Sequence, residues 1–293
     1  MKITDVINAD KPSLSFEVFP PKNETAFESV KTATEEIAKL NPSYMSVTYG
    51  AGGQGGRYTL SVAENLKNQG VIALEHLTCV GATKDSIKER INEIKSAGIK
   101  NVMALRGDIP DHMKNSDING WDYRYAADLV RELKSLGDFC VGGACYPEIH
   151  PESLNQKEDI KYLKEKVDAG CDFLTTQMFF DNNLFYNFLY KIREAGITVP
   201  VVAGIMPITA ANQLERAIKL SGSFVPQRFK SLVDRFGESP AAMMQAGIAY
   251  ATDQIIDLFA NGINAVHVYS MNKPVVAQKI QSNLSEILDL CTK

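Results

Sequence analysis

The chain has 293 residues, of which 45% are hydrophobic and 23% are charged, and its formal net charge is −4 at pH 7. The length suits one large α/β domain, and the composition is ordinary for a soluble globular protein. The small negative charge gives no sign of a nucleic-acid partner, and none is expected. Because the chain has no signal peptide and no apolar stretch of membrane-spanning length, we expect a cytoplasmic protein with no membrane contact.

Short apolar runs alternate with segments of helical periodicity along the whole chain. Strands are predicted near 14–19, 44–49, 72–78, 101–105, 139–145, 172–177, 199–205 and 264–269. Helices are predicted at 24–40, 58–69, 83–97, 122–136, 156–170, 183–195, 209–221 and 273–290. Eight alternations predict an α/β fold of the (β/α)8 TIM barrel type, with two extra helices within 222–262 before the last strand. No linker divides the chain, so a single domain over 1–293 is expected.

Five cysteines occur without a CxxC pair, and four of them lie within or beside apolar runs. An odd number in such positions indicates buried, reduced thiols rather than a disulfide framework. Cys140 and Cys145 differ in strand parity, so they should face opposite sides of their strand.

Polar side chains recur where the apolar runs end. They are Glu17, Thr48, His76, Asp108, Tyr146, His150, Gln177, Tyr269 and Asn272, and Pro207 ends the seventh run. In a (β/α)8 barrel the C-terminal ends of the strands carry the active site. The sequence therefore predicts an enzyme whose site is built from these positions.

Two carboxylates are the leading candidates for chemistry. Glu17 stands inside LSFEVFP, where burial would raise its pKa and suit it to donate a proton near neutral pH. It could equally be exposed or paired with Lys22. Asp108 closes LRGD and could be held near a reacting group. Alternatively, it could cap the next segment or pair with Arg106, and the spacing slightly favours these two structural roles.

Other polar positions allow several interpretations. His76 and His150 could act as acid or base, contact a ligand or bind a metal, but no metal-binding spacing supports a metal site. The glycine-rich segment 50–56 could approach a ligand or be a plain turn. Gln177 offers a donor and an acceptor to a heterocycle. The aromatic residues Phe179, Phe180 and Tyr186 could line a flat pocket or pack in the core.

Taken together, the segments resemble the methylenetetrahydrofolate reductase family. The motifs that carry the resemblance are SFEVFPPK, VTYGAGG, HLTC, ALRGD, ACYPEIHPE, KVDAGCDFLTTQMFFD and GIMPI, in the family's order from about Ser15 to Asn272. The resemblance implies a (β/α)8 barrel that binds FAD, and a catalytic domain without the C-terminal regulatory domain of eukaryotic relatives. It also implies a place in one-carbon metabolism and methionine biosynthesis.

The family's functional residues match positions of this chain one by one. Glu17 corresponds to the acid that protonates folate N10, and Asp108 to a carboxylate that stabilises the cationic intermediate and tunes the flavin. The matching flavin contacts are Thr48, His76, Arg106, Gly107, Asp108, Tyr125, Ala144, Tyr146, His150, Asp159 and Lys166. Of these, Arg106 and Lys166 suit phosphate groups. The implied folate contacts are Glu17, Gln177, Tyr269 and Lys273.

The implied reaction is ping-pong: NADH or NADPH reduces the flavin, and methylenetetrahydrofolate then accepts the hydride. A homo-oligomer is expected, with 222–262 as a candidate contact surface. The chain departs from bacterial relatives at QGGRYT (54–59), at Ala210-Ala211 and at Lys273, where an arginine is common. Two rival hypotheses are a barrel lyase or aldolase without flavin, and a flavin- or folate-binding subunit without turnover in a larger complex.

Overall fold

A computed structural model describes residues 1–7, 11–49, 56–110, 113 and 118–290 of the chain. Eight parallel strands form a closed barrel in the order β1 to β8, which confirms the predicted fold. The strands are β1 Ser13–Val18, β2 Met45–Val47, β3 Ala73–Thr78, β4 Asn101–Leu105, β5 Cys140–Cys145, β6 Phe173–Thr176, β7 Val201–Ile205 and β8 Ala265–Tyr269. Closure occurs where β1 pairs with β8, with Ser15 opposite His267 and Glu17 opposite Tyr269.

Helices surround the barrel and follow the strands as predicted. They are α1 Thr4–Ile7, α2 Phe27–Ala38, α3 Gly56–Asn68, α4 Lys84–Ser96, α5 Ala126–Leu136, α6 Gln156–Asp168, α7 Asn182–Glu194, α8 Ala211–Ser221, α9 Gln227–Phe236, α10 Pro240–Ala260, α11 Pro274–Asn283 and α12 Ser285–Leu290. Helices α9 and α10 are the two extra helices expected before the last strand. Helix α1 was not predicted. No helix in these described ranges is long and apolar enough to cross a membrane.

The strands show why strict alternation of side chains matters in this barrel. In β1, Leu14, Phe16 and Val18 belong to the large apolar cluster between the strands and the helices. The intervening Ser15 and Glu17 point the other way and contact side chains of other strands across the barrel interior. An apolar run that is buried on both faces thus carries a polar inner face at β1.

Helix α1 closes the bottom of the barrel. Ile3 and Ile7 are buried in a cluster with side chains from the barrel interior, including Tyr44 and Phe173. The backbone N–H of Ile3 donates to Asn101 Oδ1 at 2.9 Å, and Asn101 is the first residue of β4. Because the N-terminal ends of the strands are covered in this way, the opposite end, which we call the barrel mouth, is left for a ligand.

Glycines end two of the helices, and the predicted cysteine states are confirmed for the four described cysteines. Gly98 and Gly196 have φ of 71° and 77°, in the left-handed region that suits a residue ending a helix. The four described cysteines are free and buried. Cys140 lies in the inner cluster and Cys145 in the outer one, as their parity predicts. The fifth cysteine, residue 291, lies outside the described residues.

The inserted helices press against the loop that follows β7. A Cβ atom on Gly247 of α10 would lie 1.7 Å from the carbonyl oxygen of Ile208, so the two backbones are in direct contact. Tyr250, one turn further along α10, donates its hydroxyl to the carbonyl of Phe180 at 2.6 Å and stacks on Phe229 of α9. The insertion therefore supports the barrel mouth beside β6 and β7.

Candidate active site

The polar residues predicted from the strand ends do gather at the barrel mouth. Glu17 ends the inner face of β1, and His76 lies on β3. Arg106, Gly107 and Asp108 follow β4, while Tyr146 and His150 follow β5. Gln177 follows β6, and Tyr269 ends β8. The glycine-rich segment lies outside the described residues from 50 to 55, so its expected contact with a ligand stays a prediction.

Glu17 is the most deeply buried carboxylate of the mouth, with 8% of its surface exposed. Ser46 of β2 donates to its Oε2 at 3.3 Å, and His76 Nε2 and His267 Nε2 lie 3.7 and 3.9 Å from the same oxygen. Burial raises the pKa of Glu17 to about 8, although the bond from Ser46 acts in the opposite direction. The two alternatives, that Glu17 is exposed to water or is paired with Lys22, are both wrong: Glu17 is enclosed, and its near neighbours are Ser46, His76 and His267.

The two histidines beside Glu17 do not supply a positive charge. Burial lowers the pKa of His76 to about 4 and that of His267 to about 3, so both rings are neutral near pH 7. With neutral neighbours, no positive charge offsets the loss of hydration around Glu17, and its carboxyl stays protonated at neutral pH. Sequence reasoning missed His267; the parity it shares with Tyr269 in AVHVY could have placed it on the inner face.

The turn after β4 holds Asp108 at the surface of the mouth. Gly107 has φ of 87°, and a Cβ there would lie 3.0 Å from Thr78 Cβ, so the turn requires glycine. Asp108 is exposed. Pairing of Asp108 with Arg106, one of the sequence alternatives, is wrong because the guanidinium binds Glu152 through two hydrogen bonds of 2.5 and 2.6 Å.

A second cation, Lys166 of α6, reaches the end of β5. Its Nζ donates to the carbonyl of Ala144 at 2.6 Å, and its stem crosses β5 at Gly143, where a Cβ would lie 2.9 Å from Lys166 Cδ. In the described part of the chain no carboxylate forms an ion pair with it. Burial lowers the pKa of Lys166, although the charge of Asp159 favours its protonation. A half-buried cation without a carboxylate partner is suited to bind an anion.

The loop between β5 and α6 is fixed by its own hydrogen bonds. Asp159 accepts from the backbone N–H of His150 at 3.2 Å, and His150 Nδ1 accepts from the N–H of Glu152 at 3.1 Å. The rings of Tyr146 and His150 meet edge to face at 4.6 Å. Burial raises the pKa of Tyr146 to about 12 and lowers that of His150. The rings of Tyr146 and His150 thus form an uncharged aromatic surface near Arg106 and Lys166.

Two further predicted flavin contacts lie at the edges of this region. Thr48 is half-buried after β2, with its N–H bound to the carbonyl of Val18 at 3.0 Å. Tyr125 is 55% exposed at the start of α5 and stacks against Tyr162 of α6 with 6.5 Å between ring centroids. Tyr125 is therefore at the outer rim rather than inside the barrel.

The side of the mouth near β6 to β8 carries the predicted folate contacts. The hydroxyl of Tyr269 donates to the carbonyl of Thr176 at 2.5 Å. Lys273 is exposed, and its Nζ donates to Thr209 Oγ1 at 2.9 Å. Gln177 is half-buried, and its Oε1 accepts from the N–H of the next residue at 2.9 Å, which leaves its NH2 group without a partner among the described residues.

Core packing accounts for most of the aromatic residues that follow Gln177. Phe179 and Phe180 are fully buried. Phe179 stacks on Phe185, whereas the hydroxyl of Tyr186 donates to Asp257 of α10 at 2.7 Å. These residues hold α7 and α10 against the barrel. Within the described residues, no three His, Cys, Asp or Glu side chains are grouped as a metal site would require.

Comparisons with known proteins agree with this arrangement. The family model for methylenetetrahydrofolate reductase matches residues 2–285. A 5,10-methylenetetrahydrofolate reductase of Pectobacterium carotovorum subsp. carotovorum is 33% identical over 269 residues, which are 92% of this chain and 88% of that protein. A methylenetetrahydrofolate reductase (NADH) 1 of Zea mays is 34% identical over 98% of this chain, but the match spans only 50% of the maize protein.

Among solved structures, a protein from Clostridium thermocellum that binds two copies of 5-methyl-5,6,7,8-tetrahydrofolic acid superposes with a TM-score of 0.68. The alignment covers 100% of this chain and 99% of that one at 12% sequence identity, so it supports the fold alone. The family match and the curated relatives carry the assignment. The chain belongs to the methylenetetrahydrofolate reductase family, and this membership supports methylenetetrahydrofolate reduction as its reaction.

Proposed function

We propose that residues 1–293 form one FAD-binding catalytic domain that reduces 5,10-methylenetetrahydrofolate to 5-methyltetrahydrofolate by a ping-pong reaction with NADH or NADPH. The observation that carries the proposal is the buried Glu17, whose raised pKa keeps a proton available at the mouth of the barrel at neutral pH. A carboxylic acid with this pKa is matched to general acid catalysis near pH 7.

Glu17 is the general acid of this proposal. It donates a proton to N10 of the folate as the methylene bridge opens, which leaves a cation on the substrate. The enclosed position matters because the proton is lost to water less readily than from an exposed carboxyl. Since the acid form predominates below about pH 8, reduction of the folate should slow as the pH rises through that value.

Asp108 supplies the negative charge that this cation needs. It is exposed at the mouth, and Arg106 beside it is already neutralised by two bonds to Glu152. A carboxylate that is not consumed by the neighbouring arginine remains available to stabilise positive charge on a bound substrate. Substitution of Asp108 should therefore slow the reaction more than it weakens folate binding.

The residues along β2 to β6 fit FAD by the chemistry of their donors. Lys166 is a cation without a carboxylate partner, and Arg106 can exchange Glu152 for a phosphate. Hydroxyl, imidazole, carboxylate and small side chains complete the set: Thr48, His76, Gly107, Asp108, Tyr125, Ala144, Tyr146, His150 and Asp159. When bound, FAD would carry the hydride from the nicotinamide to the folate.

Gln177, Tyr269 and Lys273 are the proposed folate contacts on the other side of the mouth. The unpartnered NH2 group of Gln177 can donate to a pterin, and Lys273 can reach an acidic substrate group in place of Thr209. A homo-oligomer that uses the region 222–262 is also part of the proposal.

Anaerobic spectroscopy of the purified protein tests this function. Flavin absorbance should bleach with NADH or NADPH and return when methylenetetrahydrofolate is added. In Glu17→Gln the nicotinamide step should persist and the folate step should be lost, whereas Glu36→Gln, at an exposed position of α2, should behave like the wild type. Protein that fails to bind FAD would refute the proposal and favour a flavin-free lyase. Bound FAD without recovery by folate would favour a subunit without turnover.

A further inference from the structure

A chain of hydrogen-bonding groups lies beneath Glu17 inside the barrel. Ser15 Oγ is 2.7 Å from His267 Nδ1, and His267 Nε2 is 2.9 Å from Ser46 Oγ. Ser46 Oγ in turn lies 3.3 Å from Glu17 Oε2. All four residues are at least nine-tenths buried, and they come from β1, β2 and β8. Buried hydrogen bonds therefore link the Oε2 side of the proposed acid to an imidazole.

Each link of this chain has only one proton to give. A serine hydroxyl can donate to one acceptor at a time, and a neutral imidazole carries a hydrogen on only one of its two nitrogens. If Ser46 donates to Glu17, its oxygen must accept from His267 Nε2–H. His267 Nδ1 is then an acceptor and must receive the hydroxyl hydrogen of Ser15. The direction of one bond thus fixes all the others.

Two distances, and the energetic cost of an unpaired buried charge, decide the direction of these hydrogen bonds. Ser15 Oγ lies closer to His267 Nδ1, at 2.7 Å, than to its other acceptor, the carbonyl of Val266, at 3.0 Å. In the reverse direction Ser46 would donate to His267, and Glu17, once it ionises above about pH 8, would lose its only hydrogen-bond donor among the described residues. An unpaired buried charge is expensive, which favours donation toward Glu17.

The two oxygens of Glu17 are not equivalent. Ser46, His76 and His267 all approach Oε2, whereas Oε1 makes no hydrogen bond to the described residues and is not sealed from solvent. We propose that His267, held by Ser15 with hydrogen on Nε2, keeps Ser46 donating to Oε2 and thereby confines the acid proton of Glu17 to Oε1. His267 is a positioning residue that acts through Ser46.

Among the described residues, the aromatic and imidazole groups that pack against these hydrogen-bonded residues are uncharged near neutral pH. Tyr44 stacks on the ring of His267 at 5.3 Å with planes 10° apart, and Tyr269 meets it edge to face at 5.8 Å. Burial raises the pKa of both tyrosines, and it lowers those of His76 and His267. Within the described residues, Glu17 is the only one of these groups that titrates between pH 6.5 and 9.5, so its protonation can be followed without interference.

The inference rests on the proposed role of Glu17, but its test does not require turnover. Protein labelled with nitrogen-15 histidine is studied by NMR between about pH 6.5 and 9.5. His267 should show hydrogen on Nε2 and a bare Nδ1 throughout this range, including across the titration of Glu17. His150, whose Nδ1 accepts a backbone N–H, provides a reference for this tautomer. Hydrogen on Nδ1, or a tautomer that changes as Glu17 ionises, would overturn the inference.

Variants separate positioning from a merely structural role. The nitrogen-15 chemical shift of His76 reports the charge of Glu17, because His76 Nε2 lies 3.7 Å from Glu17 Oε2. Ser46→Ala and His267→Phe should each raise the titration midpoint by about one pH unit, the loss expected for one hydrogen bond to a charged group. The double variant should raise it no further, and His267→Gln should partly restore it.

Additive shifts in the double variant, or no shift in Ser46→Ala, would contradict positioning through Ser46. If His267→Phe does not fold, the wild-type tautomer and Ser46→Ala still decide the question. Because these readouts need neither flavin nor folate, the inference can hold if the reductase proposal fails, and it can fail if the reductase proposal holds.

Discussion

Replacing Glu17 with Gln should make the protein more stable, and increasingly so as the pH rises. Burial raises the pKa of Glu17 from its ordinary 4.5 to about 8, so folding disfavours the ionised carboxylate. The burial of Glu17 therefore costs the wild type no stability below pH 4.5, and its cost grows as the pH rises toward 8. Glutamine keeps the shape of the side chain and cannot ionise, so the variant escapes this loss.

The size of the effect follows from linkage. At about 1.4 kcal/mol for each pH unit between the unfolded and folded pKa, the wild type loses about 3 kcal/mol by pH 7 and roughly 4 to 5 kcal/mol above pH 8. Strand β3 carries another buried carboxylate, Glu75, whose pKa burial raises to about 7. It contributes in the same direction, but it is present in both proteins and cancels in the comparison.

Urea unfolding followed by circular dichroism at pH 5, 7 and 9 measures the difference. The exposed Glu36→Gln is the matched control, and it should follow the wild type at every pH. A Glu17→Gln variant that is no more stable than the wild type at pH 9, or whose advantage does not change with pH, would refute the reasoning. The same substitution should abolish folate reduction, so that stability and activity change in opposite directions.

Three other substitutions test the packing. Arg90→Met should lower the free energy of unfolding in urea by about 3 to 5 kcal/mol, because Glu75 loses the guanidinium bound to it at 2.6 Å. Adding Glu75→Gln should recover most of this loss. A double variant as unstable as the single one would contradict the reasoning. Ile3→Ala should cost about 2 to 5 kcal/mol by the same assay, without altering the kcat of the folded enzyme, because it opens the bottom of the barrel only. Gly204→Ala should raise the KM for folate, because its Cβ would lie 2.4 Å from the hydroxyl of Tyr269, a proposed folate contact. The control Gly120→Ala, whose Cβ would meet nothing within 4 Å, should leave the KM unchanged. Equal KM values for the two variants would argue against folate binding at Tyr269.

The strands and most helices could be predicted because their signals are local. A strand that is covered on both faces has a continuous apolar run, and its neighbours are helices with a 3.6-residue period. The short helix α1 was missed because four residues are too few to show a period. It is held instead by a tertiary contact, the bond from Ile3 to Asn101, which is 98 residues away in the chain.

The site could be predicted in part, for the same reason. The position of Glu17 within an apolar run pointed to a buried carboxylate, but two alternatives were open until its surroundings were known. Glu152 was not predicted as the partner of Arg106 because it is 46 residues away, whereas the adjacent Asp108 is a local candidate. His267 was missed because its contact with Ser15 spans 252 residues. Such pairs depend on barrel closure, which no local pattern encodes.

The contact between Gly247 and the carbonyl of Ile208 bears on how such a mouth can change its shape. Two backbones that touch cannot yield by rotating a side chain, so any residue larger than glycine at this point must displace the loop after β7 as a unit. The dimensions of that side of the mouth are thereby governed from α10, a helix outside the barrel. Binding preferences could be retuned there while every strand keeps its sequence.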